Sequence, residues 1–171
     1  NGGQLNVGAT NGSLRGTKGQ MYEGGIRVPA CAMWQGEIES GCVTDQTAML
    51  MDLFPTICEV AGVSVGHEID GCSILPTLRG DDQDFSDRIY YWIRKEGGRA
   101  FWGLDQHAVR WGDVKLLHNG PFEPLELYDL GNDMAESSDL TNVNEDVFAN
   151  MRGLLQTEMQ KNGHVPWQRE G

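Results

Sequence analysis

The sequence predicts an α/β chain, and three observations predict that class. A glycine-rich opening leads into a short apolar segment that is typical of a buried strand. An amphipathic helical pattern follows near the middle of the chain, between a capping aspartate and a glycine. The last half combines several strand patterns with one long helix, which is typical of a small antiparallel sheet with a helix packed on it.

The start of the chain is predicted to be mostly loop. Residues 1–25 contain eight glycines, which favour turns and a close approach of the backbone to other groups. The glycines end at residue 25, and residues 26–34 then form an apolar run that predicts a short buried strand.

A helix is predicted over residues 52–61. Asp52 is a suitable N-cap, and Gly62 supplies a stop at the carboxyl end. Apolar residues repeat at helical spacing within it, and we expect them to face a core. These residues are Leu53, Phe54, Ile57, Val60 and Ala61. Residues 63–87 show no such pattern and are predicted to be irregular.

The second half predicts a small antiparallel sheet and a helix that covers it. Residues 88–94 and 125–130 favour strands, and residues 109–117 favour a hairpin that turns at Gly112 and Asp113. Residues 144–162 give the strongest helix pattern of the chain, with apolar side chains along one face. These side chains are Val147, Phe148, Met151, Leu154, Leu155 and Met159.

Composition narrows the function classes. The 13 lysines and arginines against 25 aspartates and glutamates give a net charge of −12, which argues against nonspecific binding of nucleic acid. No segment approaches the roughly 20 consecutive apolar residues of a membrane span. The four cysteines match no zinc pattern, and their redox state stays open.

A basic, glycine-rich segment stands out from this acidic background. Residues 1–30 carry three basic side chains and one acidic side chain, a net charge of +2. They are Arg15, Lys18, Arg27 and Glu23, and Lys18 lies between two glycines that are close in sequence. A lysine ammonium is a compact cation with three donors, which suits a tetrahedral oxyanion. The segment therefore predicts an anion site, although many such loops are only solvated turns.

The string Arg-Gly-x-Lys-Gly-x-x-x-Glu-Gly-Gly-Ile-Arg-Val-Pro at residues 15–29 closely resembles the second-half signature of the type I sulfatases, in the alkaline phosphatase superfamily. Further segments resemble the same family in the same order. They are Trp34 to Gly36, Asp52 to Thr56, Ala61 to Gly62, Asp70 to Gly80, Ala108 to Arg110 with Lys115 and Leu116, and Leu127 to Leu130 with Asp133, Glu136 and Leu140. The resemblance covers nearly the whole chain.

The resemblance implies an alkaline-phosphatase-like sulfatase fold, of which this chain is the C-terminal part. Residues 1–80 would be the last portion of the catalytic domain with the end of its large mixed sheet, and residues 81–171 a small α+β subdomain. In this family the nucleophile is a formylglycine made from a Cys/Ser-x-Pro-x-Arg motif. None of the four cysteines is followed by x-Pro-x-Arg, so the resemblance assigns the nucleophile to an N-terminal part of the enzyme.

The resemblance also implies roles for individual residues. Lys18 would contact both the substrate sulfate and the formylglycine, and Asn1 would be a ligand of Ca²⁺ or Mg²⁺. His107 would bind substrate from the C-terminal subdomain, or else be a plain surface histidine. Glu23 would pair with a nearby cation rather than act as an acid.

For four further residues the sequence leaves two possible roles open, and for two aspartates it predicts a structural role. Arg15 and Arg27 would either help bind the anion or brace the loop through backbone carbonyls. Trp102 and Trp111 would stack on a sugar or aryl group, or belong to the core. Asp129 and Asp133 would cap backbone amides.

The function implied is hydrolysis of aryl or carbohydrate sulfate esters by the complete enzyme, with this chain inactive alone. The partners implied are a sulfated small molecule or glycan and the N-terminal part, and the resemblance favours a secreted, periplasmic or lysosomal setting. Two alternatives stay open. One is a noncatalytic carbohydrate-binding or interaction module, and the other is a phosphate or phosphonate ester hydrolase of the same superfamily.

Overall fold

The computed structural model describes residues 2–95 and 105–162. Their contacts divide the chain into two compact units, one of residues 1–28 with 86–171 and one of residues 29–85. These units group residues that touch within this chain, whereas the predicted boundary after residue 80 separates parts of a complete enzyme. That boundary stays a prediction.

A four-stranded antiparallel sheet forms the first unit, in the order β1-β2-β3-β4. Its strands are β1 (Ile89–Lys95), β2 (Asp105–Trp111), β3 (Val114–His118) and β4 (Glu126–Asp129). The predicted strands and the hairpin turn at Gly112 and Asp113 are confirmed. Consecutive strands pair directly, and β2 and β3 are joined by the two-residue turn at Gly112 and Asp113.

Helix α4 (Glu145–Asn162) covers one face of this sheet, as predicted. Met151 and Leu155 on the helix are buried against a strand residue on each of β2, β3 and β4. Those strand residues are Val109, Leu116 and Leu127. The Asn144 side chain accepts a hydrogen bond from the backbone N–H of Val147 at 3.3 Å, which caps the start of the helix.

The opposite face of the sheet is covered by the glycine-rich segment. Met21 and Tyr22, just before the short helix α1 (Glu23–Ile26), pack against Ala108, Leu117 and Tyr128. Side chains alternate between the faces of a strand, so the sheet separates α4 from the glycine-rich segment.

The turn after β4 is built by two aspartates, and their predicted capping role is confirmed. Asp129 accepts the backbone N–H of Gly131 at 3.0 Å. Asp133 accepts the backbone N–H groups of Ser137 and Ser138 at 2.7 and 2.8 Å. These hydrogen bonds favour the charged carboxylate and lower the pKa of Asp133.

The second unit contains two helices, α2 (Leu53–Val60) and α3 (Leu75–Arg79), and a 3₁₀ turn at Leu50–Asp52. The predicted helix at residues 52–61 is confirmed, whereas α3 lies in a stretch predicted to be irregular. Asp52 is fully buried and accepts the backbone N–H groups of Met49 and Cys72 at 2.7 and 3.1 Å. Its carboxylate therefore joins the start of α2 to the segment before α3.

The apolar side of α2 was expected to face a core, and that expectation is wrong for this chain. Leu53, Phe54, Ile57 and Val60 are 44%, 54%, 64% and 44% exposed. Helical spacing predicts which side chains share a face, but only neighbouring elements can bury that face. In the described residues no element packs over these four side chains.

The strand predicted at residues 26–34 does not form. Helix α1 ends at Ile26, the following residues have no regular structure, and Val28 and Met33 are 50% and 94% exposed. A strand needs a neighbour to receive its backbone hydrogen bonds, and in the described part of the chain no strand pairs with this segment.

None of the helices in the described ranges is both long and apolar enough to cross a membrane.

Candidate functional site

Lys18 lies at the tip of the glycine loop, defined here as residues 14–27. A turn closes the tip, because the backbone N–H of Gln20 donates to the carbonyl of Thr17 at 3.0 Å. The Lys18 side chain is exposed, and in the ranges that the structure describes its ammonium makes no hydrogen bond or ion pair. The loop thus presents a solvent-facing cation.

The amino-terminal segment runs beside this loop. The backbone N–H of Lys18 donates to the Gly3 carbonyl at 3.1 Å, and that of Gly2 donates to the Gly25 carbonyl at 2.9 Å. The Asn11 side chain links the amino-terminal segment to the glycine loop. It accepts the backbone N–H of Gly3 at 2.7 Å and donates to the Gly16 carbonyl at 2.9 Å. The segment that follows Asn1 therefore lies next to the backbone of the predicted anion site.

Asn1 itself, the predicted metal ligand, lies outside the described residues. Among the residues that are described, no three His, Cys, Asp or Glu side chains are grouped so that they could hold a metal ion. Calcium takes six to eight oxygen ligands and magnesium six. The described residues therefore do not fit a metal site by themselves, and the Ca²⁺ or Mg²⁺ implied by the resemblance stays a prediction.

A buried triad of charged residues holds the base of the glycine loop. Lys115 on β3 lies 2.8 Å from the carboxylates of both Glu23 and Glu136, and its side chain is 0% exposed. Glu136 also accepts the backbone N–H of Glu23 at 2.6 Å. Burial raises the pKa of Glu136, and the Lys115 ammonium opposes that shift.

The structure identifies the partners of Glu23. Arg27 was one predicted cation and lies 3.6 Å away, but the shorter contact is with Lys115. Lys115 and Glu136 belong to segments that resemble the family, but the sequence assigned neither of them a role as a partner of Glu23. The available signal was a lysine within the apolar strand 114–117, where a buried position requires an ionic partner.

Arg15 braces the loop from its other side. Its guanidinium donates to the hydroxyl of Tyr128 at 2.7 Å and to the Glu136 carbonyl at 2.9 Å, and lies 4.0 Å from the centre of the Tyr22 ring. Burial and the hydrogen bond to Glu126 raise the pKa of Tyr22 to about 12, so its hydroxyl stays protonated at neutral pH. Of the two readings for Arg15, these contacts favour bracing.

His107 lies away from the glycine loop. It is on β2, is 3% exposed, and its Nδ1 lies 2.8 Å from the hydroxyl of Tyr91, which packs on the face covered by α4. Burial lowers the pKa of His107, although Asp105 at 3.4 Å opposes this, so the ring is neutral at pH 7. The structure therefore does not bring His107 and the glycine loop together, and its substrate-binding role stays a prediction.

The two aromatic candidates have different outcomes. Trp102 lies outside the described residues. Trp111 at the end of β2 is 46% exposed, and its indole N–H donates to the Ser86 carbonyl at 3.1 Å. Trp111 therefore does not belong to the core of this chain.

Replacement of Gly25 by alanine is expected to destabilise the full-length protein by about 1–3 kcal/mol, the usual result of overpacking. A Cβ at this position would lie 2.1 Å from the Gln20 carbonyl oxygen and 2.7 Å from that of Thr17, both backbone atoms. The midpoint of urea unfolding measures the change.

Gly153→Ala is the matched control. It lies in α4 with nothing within 4 Å of its added methyl group, and it should stabilise by about 1 kcal/mol through helix propensity. Equal midpoints of unfolding for the two variants would show that an added methyl group fits at position 25 without a clash.

Comparison with known proteins found a family that this chain matches and several similar proteins. Residues 17–163 match the model of the family described as N-sulphoglucosamine sulphohydrolase, C-terminal. The chain is 43% identical over 116 residues to steryl-sulfatase of Mus musculus, and 33% identical over 145 residues to a sulfatase of Formosa agariphila. These matches cover 67% and 78% of this chain.

A solved structure resembles the whole chain. The crystal structure of Ps i-CgsB in complex with k-i-k-neocarrahexaose superposes with a TM-score of 0.82 at 28% identity and covers 99% of this chain. The chain spans only 16% and 26% of the two curated relatives and 37% of the crystallised chain.

Proposed function

Because this chain belongs to the N-sulphoglucosamine sulphohydrolase C-terminal family, we propose that it is the C-terminal part of an enzyme that hydrolyses aryl or carbohydrate sulfate esters. The observation that carries this proposal is the exposed Lys18 ammonium at the tip of a loop whose base is fixed by buried ion pairs. A cation carried on a loop whose backbone is held in place suits an anionic substrate.

Lys18 acts on the sulfate group in this proposal. A sulfate monoester carries negative charge on its nonbridging oxygens, and charge shifts among the oxygens as the ester bond breaks. A preorganised cation stabilises that charge without having to reorganise during the reaction. The ammonium of Lys18 has three donors with which to orient these oxygens.

The nucleophile and most metal ligands belong to a part of the enzyme upstream of this chain in our proposal. The share of the relatives that the chain spans supports this, as does the exposed apolar side of α2. An apolar face of this kind is stabilised when another element covers it. In the proposed full-length enzyme, the upstream part would supply the formylglycine and most ligands of Ca²⁺ or Mg²⁺.

Two assays test the proposal. The full-length enzyme should hydrolyse an aryl sulfate or a sulfated oligosaccharide faster than the matching phosphate ester. This chain alone, mixed with an aryl sulfate and calcium, should give no turnover above buffer. Preference for phosphate esters would move the enzyme to another reaction class, and turnover by the chain alone would contradict the division of the active site.

A further inference from the structure

Arg94 on β1 holds the backbone next to Lys18. Its Nη1 donates to the carbonyl of Gly19, the residue that directly follows Lys18, and lies 3.3 Å from Oε1 of Gln106. Arg94 and Gln106 are directly opposite each other in the β1–β2 register. The contact therefore joins the tip of the glycine loop to two paired strands.

The shape of the loop tip depends on this contact. Gly19 has φ +97°, and a Cβ built there would lie 2.7 Å from Nη1 and 3.1 Å from Cζ of Arg94. The guanidinium thus occupies the space that any other residue at position 19 would need for its side chain. The backbone angle favours glycine, and a side chain at position 19 would have to displace the guanidinium of Arg94.

Gln106 on β2 and Asn119, the residue that follows β3, hold the other side of the tip. The side-chain amide of Gln106 donates to the Asn119 carbonyl at 2.6 Å, and Oδ1 of Asn119 accepts the backbone N–H of Met21 at 2.7 Å. Residues 19 and 21 are therefore fixed to the sheet at neighbouring points. The Lys18 side chain is exposed, and in the described ranges its ammonium makes no hydrogen bond or ion pair, so the backbone sets the direction of this side chain.

We propose that Arg94 is a positioning residue for Lys18, an inference that rests on the proposed sulfate ester hydrolysis. The planar guanidinium fixes the Gly19 carbonyl, and this sets the direction in which Lys18 meets the substrate sulfate. A lysine in its place would carry the same charge but not the rigid fork of donors. A displacement of about 1 Å in a substrate-contacting group can lower a rate roughly a hundredfold.

The test uses the full-length enzyme and a sulfate ester that it hydrolyses. Arg94→Met should lower kcat by about tenfold to a hundredfold with a smaller change in KM, and Arg94→Lys should restore part of the loss. Arg110→Met is the matched control, because Arg110 donates to the Gly112 carbonyl at 2.7 Å at the far end of β2. Its kcat should stay within about twofold of wild type.

A double-variant cycle separates positioning from general stability. In the Lys18→Ala background, Arg94→Met should change kcat by less than about threefold, because no ammonium remains to be oriented. If Arg94→Met does not fold, Arg94→Lys is carried through the same cycle.

Each outcome of the cycle decides one claim. Arg94 variants as active as Arg110→Met, or a loss that multiplies fully with that of Lys18→Ala, overturn the positioning role alone. A wild-type enzyme without sulfate ester hydrolysis, or a fully active Lys18→Ala variant, overturns the proposed function and this inference with it.

Discussion

Lys18→Ala is expected to lower kcat/KM of the full-length enzyme for a sulfate ester by about 10²–10³-fold, the usual result of removing one preorganised donor to a charged transition state. The loop backbone is held by hydrogen bonds to Gly3 and from Arg94, so deletion of the Lys18 side chain leaves that backbone fixed. The activity therefore falls because a cation is lost, and the midpoint of unfolding should stay unchanged. Steady-state kinetics and a urea titration of the same sample measure both quantities.

Lys161→Ala is the control for the loss of a lysine. Lys161 is 64% exposed on α4 and pairs only with a neighbour on the same helix, Glu158, at 2.6 Å in the described residues. Its replacement should leave kcat/KM unchanged. A Lys18→Ala enzyme with activity equal to that of Lys161→Ala would contradict a role for Lys18 at the substrate.

Lys115→Met is expected to lower the free energy of unfolding of the full-length enzyme by about 3–5 kcal/mol. The substitution keeps the length of the side chain but removes the ammonium that neutralises Glu23 and Glu136. Both carboxylates are at most 5% exposed, so they would be left buried and close to each other without their shared cation. Urea unfolding at pH 7 measures the loss.

The cause of that loss is tested by neutralising one of the two carboxylates that Lys115→Met leaves buried without a cation. Adding Glu136→Gln to Lys115→Met should restore part of the stability, because one buried carboxylate becomes neutral. The exposed ion pair of Lys161 and Glu158 is the control. Lys161→Met should lower the free energy of unfolding by no more than about 1 kcal/mol. If Lys115→Met costs as little as Lys161→Met, the buried triad does not hold the loop.

The second half of the chain was predictable because its signals are local. The helix at residues 144–162 and the turn at Gly112 and Asp113 depend on spacing and turn chemistry within short segments. Segments whose structure depends on distant partners were predicted wrongly. Residues 26–34 were predicted to be a strand, and α2 was expected to be covered, and both outcomes require a neighbouring element.

The residues of the candidate site likewise fall into those that a local sequence pattern reveals and those that only the fold brings together. The glycines and Lys18 could be found from sequence, because a glycine-flanked lysine in a basic segment is a compact pattern and also carries the family resemblance. The contacts of Arg94 and Glu136 with the loop could not be found in this way, since these residues lie 76 and 118 positions after Lys18 and reach the loop only through the folded sheet.

The sequence by itself determined the α/β class, the strands and helix of the second half, the family and the lysine at the loop tip. Only the tertiary structure decided which side chains hold the loop backbone beside that lysine, that Lys115 neutralises two buried carboxylates, and that His107 lies on the other face of the sheet. The physical reason is the range of the interactions. Backbone periodicity and turn chemistry act over a few residues, whereas burial and ion pairing depend on which segments fold against one another.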